Sequence, residues 1–199
     1  MVVRTETEPS VRDLELQAKH PVTPVAGPYG HPFHPILVTV PIGAWIGSLV
    51  LDIASRVVDT DGGALARGAY WMIAVGVVGA LVAALAGLLD LLAIPSHTPA
   101  RRIGYAHLVL NLVVVALFVV SFVWRADRGA EVPTNGWLFV ISGVALVLLS
   151  ASGWLGGKLA YRYGVRVADE ETQLSGFRRD DGGARRMRGP APSANGDVR

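Results

Sequence analysis

Four stretches of this chain contain no Asp, Glu, Lys or Arg: Pro35 to Leu51, Tyr70 to Leu89, Ile103 to Trp124 and Trp137 to Gly157. Each comes close to the roughly 20 predominantly apolar residues that cross a bilayer core as a helix. Within 199 residues there is too little polar chain left to cover four such blocks. The expected fold class is therefore all-α: a polytopic membrane protein built as a four-transmembrane-helix bundle with disordered tails. The hydrophobic share of 51% and the mean hydropathy of +0.42 reflect these blocks, not a uniformly apolar chain.

The flanks agree with spanning helices. Tyr70, Trp71, Trp124 and Trp137 stand at block ends and share one membrane face, at the depth where amphipathic rings favour the headgroups. Of 18 Lys and Arg residues, only Arg56, Arg67, Arg125 and Arg128 fall in the loops after the first and third blocks. The excess of positive charge on the other side predicts that both termini are cytoplasmic. The first residues carry Arg4, Glu6, Glu8, Arg12, Asp13, Glu15 and Lys19 ahead of any apolar run, so the first span is expected to act as its own insertion signal.

This organisation predicts a polar leader over residues 1–30, a transmembrane domain over 31–167 and a disordered basic tail over 168–199. Ser10, with Asp13 three residues on, marks the start of a short helix over "VRDLELQAK". The proline-containing run before the first span is expected to stay extended, with His34 as cap and Pro35 at the first helical position. Pro41 is expected to loosen the first span. Small residues that let helices approach closely pair as Gly43 with Gly47 and Gly153 with Gly157, and line the second span as Gly76, Ala80, Ala83 and Gly87. The second line continues to Asp90, which should therefore point into the bundle.

With no cysteine, thiolate-held clusters, covalent haem attachment and thiol catalysis are all excluded within these residues. No glycine-rich phosphate loop follows a strand, so nucleotide chemistry is not expected, and nothing calls for a nucleic-acid partner. The unusual polar groups instead gather at one end of the bundle. His31 and His34 precede the first span, Asp90 ends the second, Arg101 and Arg102 lie in the hairpin, and His107 and Asn111 open the third. His31 and His34, three apart in a polyproline-like run, can face the same way. His107 and Asn111 share a helix face. Ionisable groups inside a membrane are costly and mark function by default.

Plainer assignments stand beside these. The first two histidines can cap a helix among headgroups, Asp90 can pair with Arg101 or Arg102, and His107 with Asn111 can be interhelical hydrogen-bond glue. At the other end Asp52 has Arg56 four residues later as an evident partner.

The motifs "HPFHPILVTVPIG", "GLLDLLAIP", "RRIGYAHLVLN" and "GWLGGKLAYRYGVRV" resemble, in this order over about residues 28 to 167, a bacterial family of four-helix predicted membrane proteins of unknown function. Some members of that family are associated with Rieske-type iron–sulfur domains, which implies an electron-transfer setting. The resemblance makes His31, His34, Asp90, His107 and Asn111 part of the family pattern without naming what they bind. Many members have histidine where this chain has Tyr163, which weakens any scheme that needs a ligand from the fourth span.

Three functions remain open at this stage. One is a redox-associated module holding b-type haem, with His107 and either His34 or His31 as axial ligands, Asp90 and Asn111 orienting the rings, Arg101, Arg102 and Arg162 on the propionates, and a quinone or protein as electron partner. The second is a divalent-metal site of His31, His34, Asp90 and His107. The third is a scaffold in which the cluster fixes helix register, with no catalytic activity of its own. Beyond the lipid bilayer, association into a homo-oligomer is also left open.

Overall fold

The computed structural model describes residues 9–58 and 61–178, all helix and loop with no strand among them. Four helices are long and apolar enough to cross a membrane: His34–Val57, Gly62–Ala93, Pro99–Arg128 and Gly136–Arg162. The first is interrupted. A single turn, α2 (His34–Leu37), gives way at Val38 to α3 (Thr39–Val57). Pro41 has no N–H to offer the carbonyl four residues earlier, and the helix is loosened there as its sequence requires. The remaining spans are α4 (Gly62–Ala93), α5 (Pro99–Arg128) and α6 (Gly136–Gly157), the last followed by a π-helical turn over Lys158–Arg162. The second span starts well before the apolar block that announced it, because Gly62 to Gly68 extends the helix beyond Ala69.

The bundle core takes side chains from every span: Trp45, Ile73, Val114, Phe118 and Ala145. Trp45 stacks on Phe118 with ring centroids 4.3 Å apart, and Gly76 lets the indole lie directly on the backbone of α4. No more than 28% of any span's apolar window is covered by the rest of the chain, so most of that surface is left for lipid. In such surroundings close helix contact, not expulsion of water, drives association. Only part of the expected small-residue pattern serves it. Gly76 and Gly87 meet span one, whereas Gly43 and Gly153 have nothing within 4 Å of where a Cβ would stand. In span four the close approach belongs to Gly156, because the helix phase turns Gly153 outward.

The described part of the leader, from Pro9 on, belongs to the same compact unit as the spans. Helix α1 (Val11–Lys19) begins with a capping box: Asp13 N donates to Ser10 Oγ, and Ser10 N donates to the Asp13 carboxylate. These bonds hold the Asp13 carboxyl below its ordinary range. After α1 the chain does not stay extended. It makes a 3-10 turn at Pro24–Ala26, and Phe33 N returns to the Ala26 carbonyl at 3.2 Å. The prolines do not prevent this reversal because Gly27 supplies φ +92° where a Cβ would lie 2.4 Å from the His31 carbonyl oxygen. Phe33 becomes the cap, and His34 the first helical residue ahead of Pro35.

The described residues from Asp169 on belong to a second unit. Its described part is not featureless: α7 (Glu170–Ser175) starts where Asp169 accepts from Thr172 N, a side-chain cap the composition of the tail did not suggest. The tail arginines beyond Arg178 lie outside the described residues.

Candidate functional site

Two histidines from different spans meet near one end of the bundle. His34 enters from the start of span one and His107 from span three, eight residues after Pro99 and so about 12 Å along that helix. Their ring centroids are 6.2 Å apart and the planes are nearly perpendicular at 87°. Each ring is tied to a further helix. His34 Nδ1 lies 2.9 Å from the Ala83 carbonyl on α4, and His107 Nδ1 lies 2.8 Å from the Ser152 carbonyl on α6. A carbonyl only accepts, so each ring donates from Nδ1, and Nε2 is the nitrogen left for any further partner. All four spans thus converge on one histidine pair.

Glycines make this convergence possible. A Cβ at Gly87 would stand 2.8 Å from His34 Nδ1 and Cε1, and one at Gly156 would stand 3.2 Å from His107 Cε1. The rings therefore lie against bare helix backbone. The two Nε2 atoms differ. That of His107 accepts from Asn111 Nδ2 at 3.1 Å, and the same amide reaches the His107 carbonyl at 2.9 Å. That of His34 has no hydrogen bond among the described residues. Ser152, fully buried, also places its hydroxyl 2.9 Å from His107 Nδ1.

Asp90 faces protein, as its place below Gly87 on the α4 stripe required, but its partner is neither Arg101 nor Arg102. Arg166 Nε donates to Asp90 Oδ1 at 2.7 Å, and Arg166 Nη2 donates to the carbonyls of Ala26 at 3.1 Å and Gly27 at 2.9 Å. Arg101 instead caps the C-terminus of α4, donating Nη1 to the Leu91 and Ile94 carbonyls at 2.7 Å each. The carbonyls that end a helix attract a cation so close by in sequence before a carboxylate one turn deeper can. Arg102 and Arg162 are exposed. His31 is exposed too, its Nδ1 3.5 Å from the Tyr29 carbonyl, because the loop closing on Gly27 turns it away from His34. Tyr163 packs with Ala18, Leu91, Ile94 and Val165.

Reading the sequence missed Ser152, Gly156 and Arg166. The first two stand in the fourth-span motif "SASGWLGG", whose small residues have the spacing of a helix contact. Arg166 had no signal beyond lying in "YGVRV".

At the opposite end Asp52 pairs with Arg125, not Arg56, through two bonds of 2.8 and 2.7 Å. Thr134 bonds to both, and Arg125 Nε donates to Ser121 Oγ at 3.2 Å. Asp52 is wholly buried and Arg56 exposed. The bundle interior draws the carboxylate to a fork that can satisfy both its oxygens, which a neighbour on its own helix surface cannot do.

Four spanning helices, with an interhelical histidine pair near one end and a buried ion pair at each, define a polytopic helical membrane protein. Over residues 30–169 the chain matches the family described as "Predicted membrane protein (DUF2231)", and it belongs to that family. No curated protein and no solved structure matches it.

Proposed function

We propose that this protein is a redox-associated module of a bacterial inner membrane in which His34 and His107 are the axial ligands of a b-type haem. One observation carries the reading: two imidazoles from separate helices are each fixed through Nδ1 to a backbone carbonyl, the arrangement that prepares Nε2 to bind a metal. With ring centroids 6.2 Å apart, the two imidazoles are near enough that both would hold one such group.

The donor set separates haem from a bare ion. A bare divalent ion takes three or four protein ligands. Among the described residues no three His, Cys, Asp or Glu side chains come together, since His31 is turned away and Asp90 is bonded to Arg166. Two histidines suffice for an iron whose equatorial positions a macrocycle fills. When bound, such a group supplies one-electron chemistry, with a quinone or a partner protein as the other party. The chain's own part is to orient both imidazoles through their Nδ1 bonds and hold them at fixed separation.

The test is a reduced-minus-oxidised spectrum of detergent-purified protein expressed with ample haem. His107→Ala should abolish a b-type spectrum, His34→Ala should abolish or shift it, and His31→Ala should leave it unchanged. Protein that is colourless and haem-free by pyridine assay overturns the reading. The Asn111 bond to His107 Nε2 favours a second one, in which the cluster only fixes helix register. In that case Asn111→Ala weakens the fold, whereas a haem ligand freed of its competing amide keeps its haem. In the proposed orientation both termini are cytoplasmic, so reporters fused after Asp61, Arg101 and Gly129 should read outside, inside and outside. A periplasmic signal at Arg101 reverses the module.

A further inference from the structure

Arg166 lies outside the spans, yet its side chain is 3% exposed and its backbone takes φ +60°, in the left-handed region that non-glycine residues rarely occupy. Such a conformation is costly and persists where surrounding contacts demand it. The contacts here are unusually far-reaching. Gly164, also left-handed, and the bond from Val165 N to the Leu159 carbonyl turn the chain back over the bundle after the π-helical turn. Arg166 N then bonds to the Ala18 carbonyl of α1 at 3.0 Å, Nη2 holds the carbonyls of Ala26 and Gly27, and Nε holds Asp90.

The segment so held is the one that delivers His34. Ala26 is fully buried and its carbonyl also receives Phe33 N, one residue before His34. On the other side Asp90 sits three residues beyond Gly87, on the α4 face against which the His34 ring lies. Among the described residues Arg166 is thus the one side chain bonded to both pieces of structure that fix His34: the loop that leads into it and the helix that it packs upon. His107 has no such dependence, being held within α5 and α6.

We propose that Arg166 is a positioning residue for the His34 half of the ligand pair, a clasp whose release lets the 26–33 loop and His34 move away from His107. It deepens the reading of the histidine pair as a haem site, but the clasp itself is measurable without haem.

The experiment uses the full chain in detergent and compares wild type with Arg166→Gln and Arg166→Lys. Hydrogen–deuterium exchange should become at least tenfold faster over residues 26–38 in Arg166→Gln, with residues 107–152 unchanged, and Arg166→Lys should recover part of the protection. In haem-loaded protein the same Arg166→Gln change should turn a six-coordinate low-spin spectrum into a five-coordinate one, as His34→Ala does, while the haem stays on His107. Equal exchange over 26–38 in all three proteins overturns the clasp, and so does faster exchange spread evenly over the bundle, which marks general destabilisation. Asp90→Ala supplies a second variant that does not depend on how Arg166→Gln folds: it removes the acceptor on α4 only and should loosen 34–38 while leaving the Ala26 loop protected. Loosening of neither segment also counts against the proposal. A wild type that takes up no haem removes the haem reading, and the exchange data alone then decide the clasp.

Discussion

At one end of the bundle Asp52 gives both oxygens to Arg125, and every nitrogen of that guanidinium is engaged, by Asp52, Thr134 or Ser121. At the other, Asp90 gives one oxygen to Arg166, whose Nη1 is buried with no partner among the described residues, and Nε2 of the nearby His34 has no hydrogen bond among them either. The same two residue types thus build a closed network and an open one. A closed network locks helices together and has no capacity left for a ligand. An open one retains unsatisfied groups in a low-dielectric setting, which is costly enough that it signals a role other than cohesion.

If the comparison holds, the largest effect comes from breaking the closed end. Asp52→Ala or Arg125→Ala leaves an uncompensated buried charge and should destabilise the protein by about 3–5 kcal/mol in micelle denaturation. Replacing the pair together as Asp52→Leu, Arg125→Met and Thr134→Val should recover most of that loss, since an apolar substitute of similar volume restores packing. A triple variant as weak as Asp52→Ala would mean that this end also does more than hold helices.

Next is Asp90→Asn, which weakens one charged bond at a site still partly reached by solvent, for a loss of about 1–3 kcal/mol. It should alter any ligand spectrum, whereas Asp52→Asn should leave the spectrum of the folded fraction untouched. Spectral change from the Asp52 side would erase the distinction between the ends.

Gly87→Ala drives a methyl into the His34 ring and should cost about 1–3 kcal/mol. Gly153→Ala, which meets open space, should fall within about 0.5 kcal/mol of wild type. Equal losses would show that the ring can yield, and that the pair is less firmly placed than its contacts indicate.

The smallest effect belongs to the leader. Asp13 has a carboxyl pKa lowered from 3.8 by its bonds to Ser10, so its capping contribution is fully present above that value and fades as pH falls through the lower folded value. Exchange of the Leu14 amide should quicken only on strong acidification, and Asp13→Ala should remove the pH dependence. A transition near neutral pH would point to a different group.

The apolar blocks made the four spans legible because a lipid-facing helix must be apolar along its length, and Pro41 and Ser10 announced their local effects through chemistry confined to a few neighbours. His107, Asn111 and the inward turn of Asp90 were legible for the same reason, as helix phase carries them. Partners across the fold were not. Asp52 with Arg125 and Asp90 with Arg166 join residues 73 and 76 positions apart. Sequence proximity favoured Arg56 and Arg101 instead, and nothing local reveals that a guanidinium has been claimed by helix carbonyls. His31 was misplaced because Gly27 and Gly30, both at positive φ, bend a run whose prolines, taken alone, keep it straight.

The π-helical turn closing span four shows that chain length matters there as well as side-chain type. Tyr163 N reaches back to the Lys158 carbonyl, five residues away, so this turn holds more chain than an α-helix would. Deleting one residue between Lys158 and Arg162 should be absorbed, since the turn relaxes to ordinary α-helix and the chain beyond keeps its phase. Adding one residue there has no such slack to draw on and would rotate all that follows by about 100° around the axis. Arg166 would then project from the wrong side of the bundle with its chemistry intact. Segments of this kind bear the loss of a letter more readily than the gain of one.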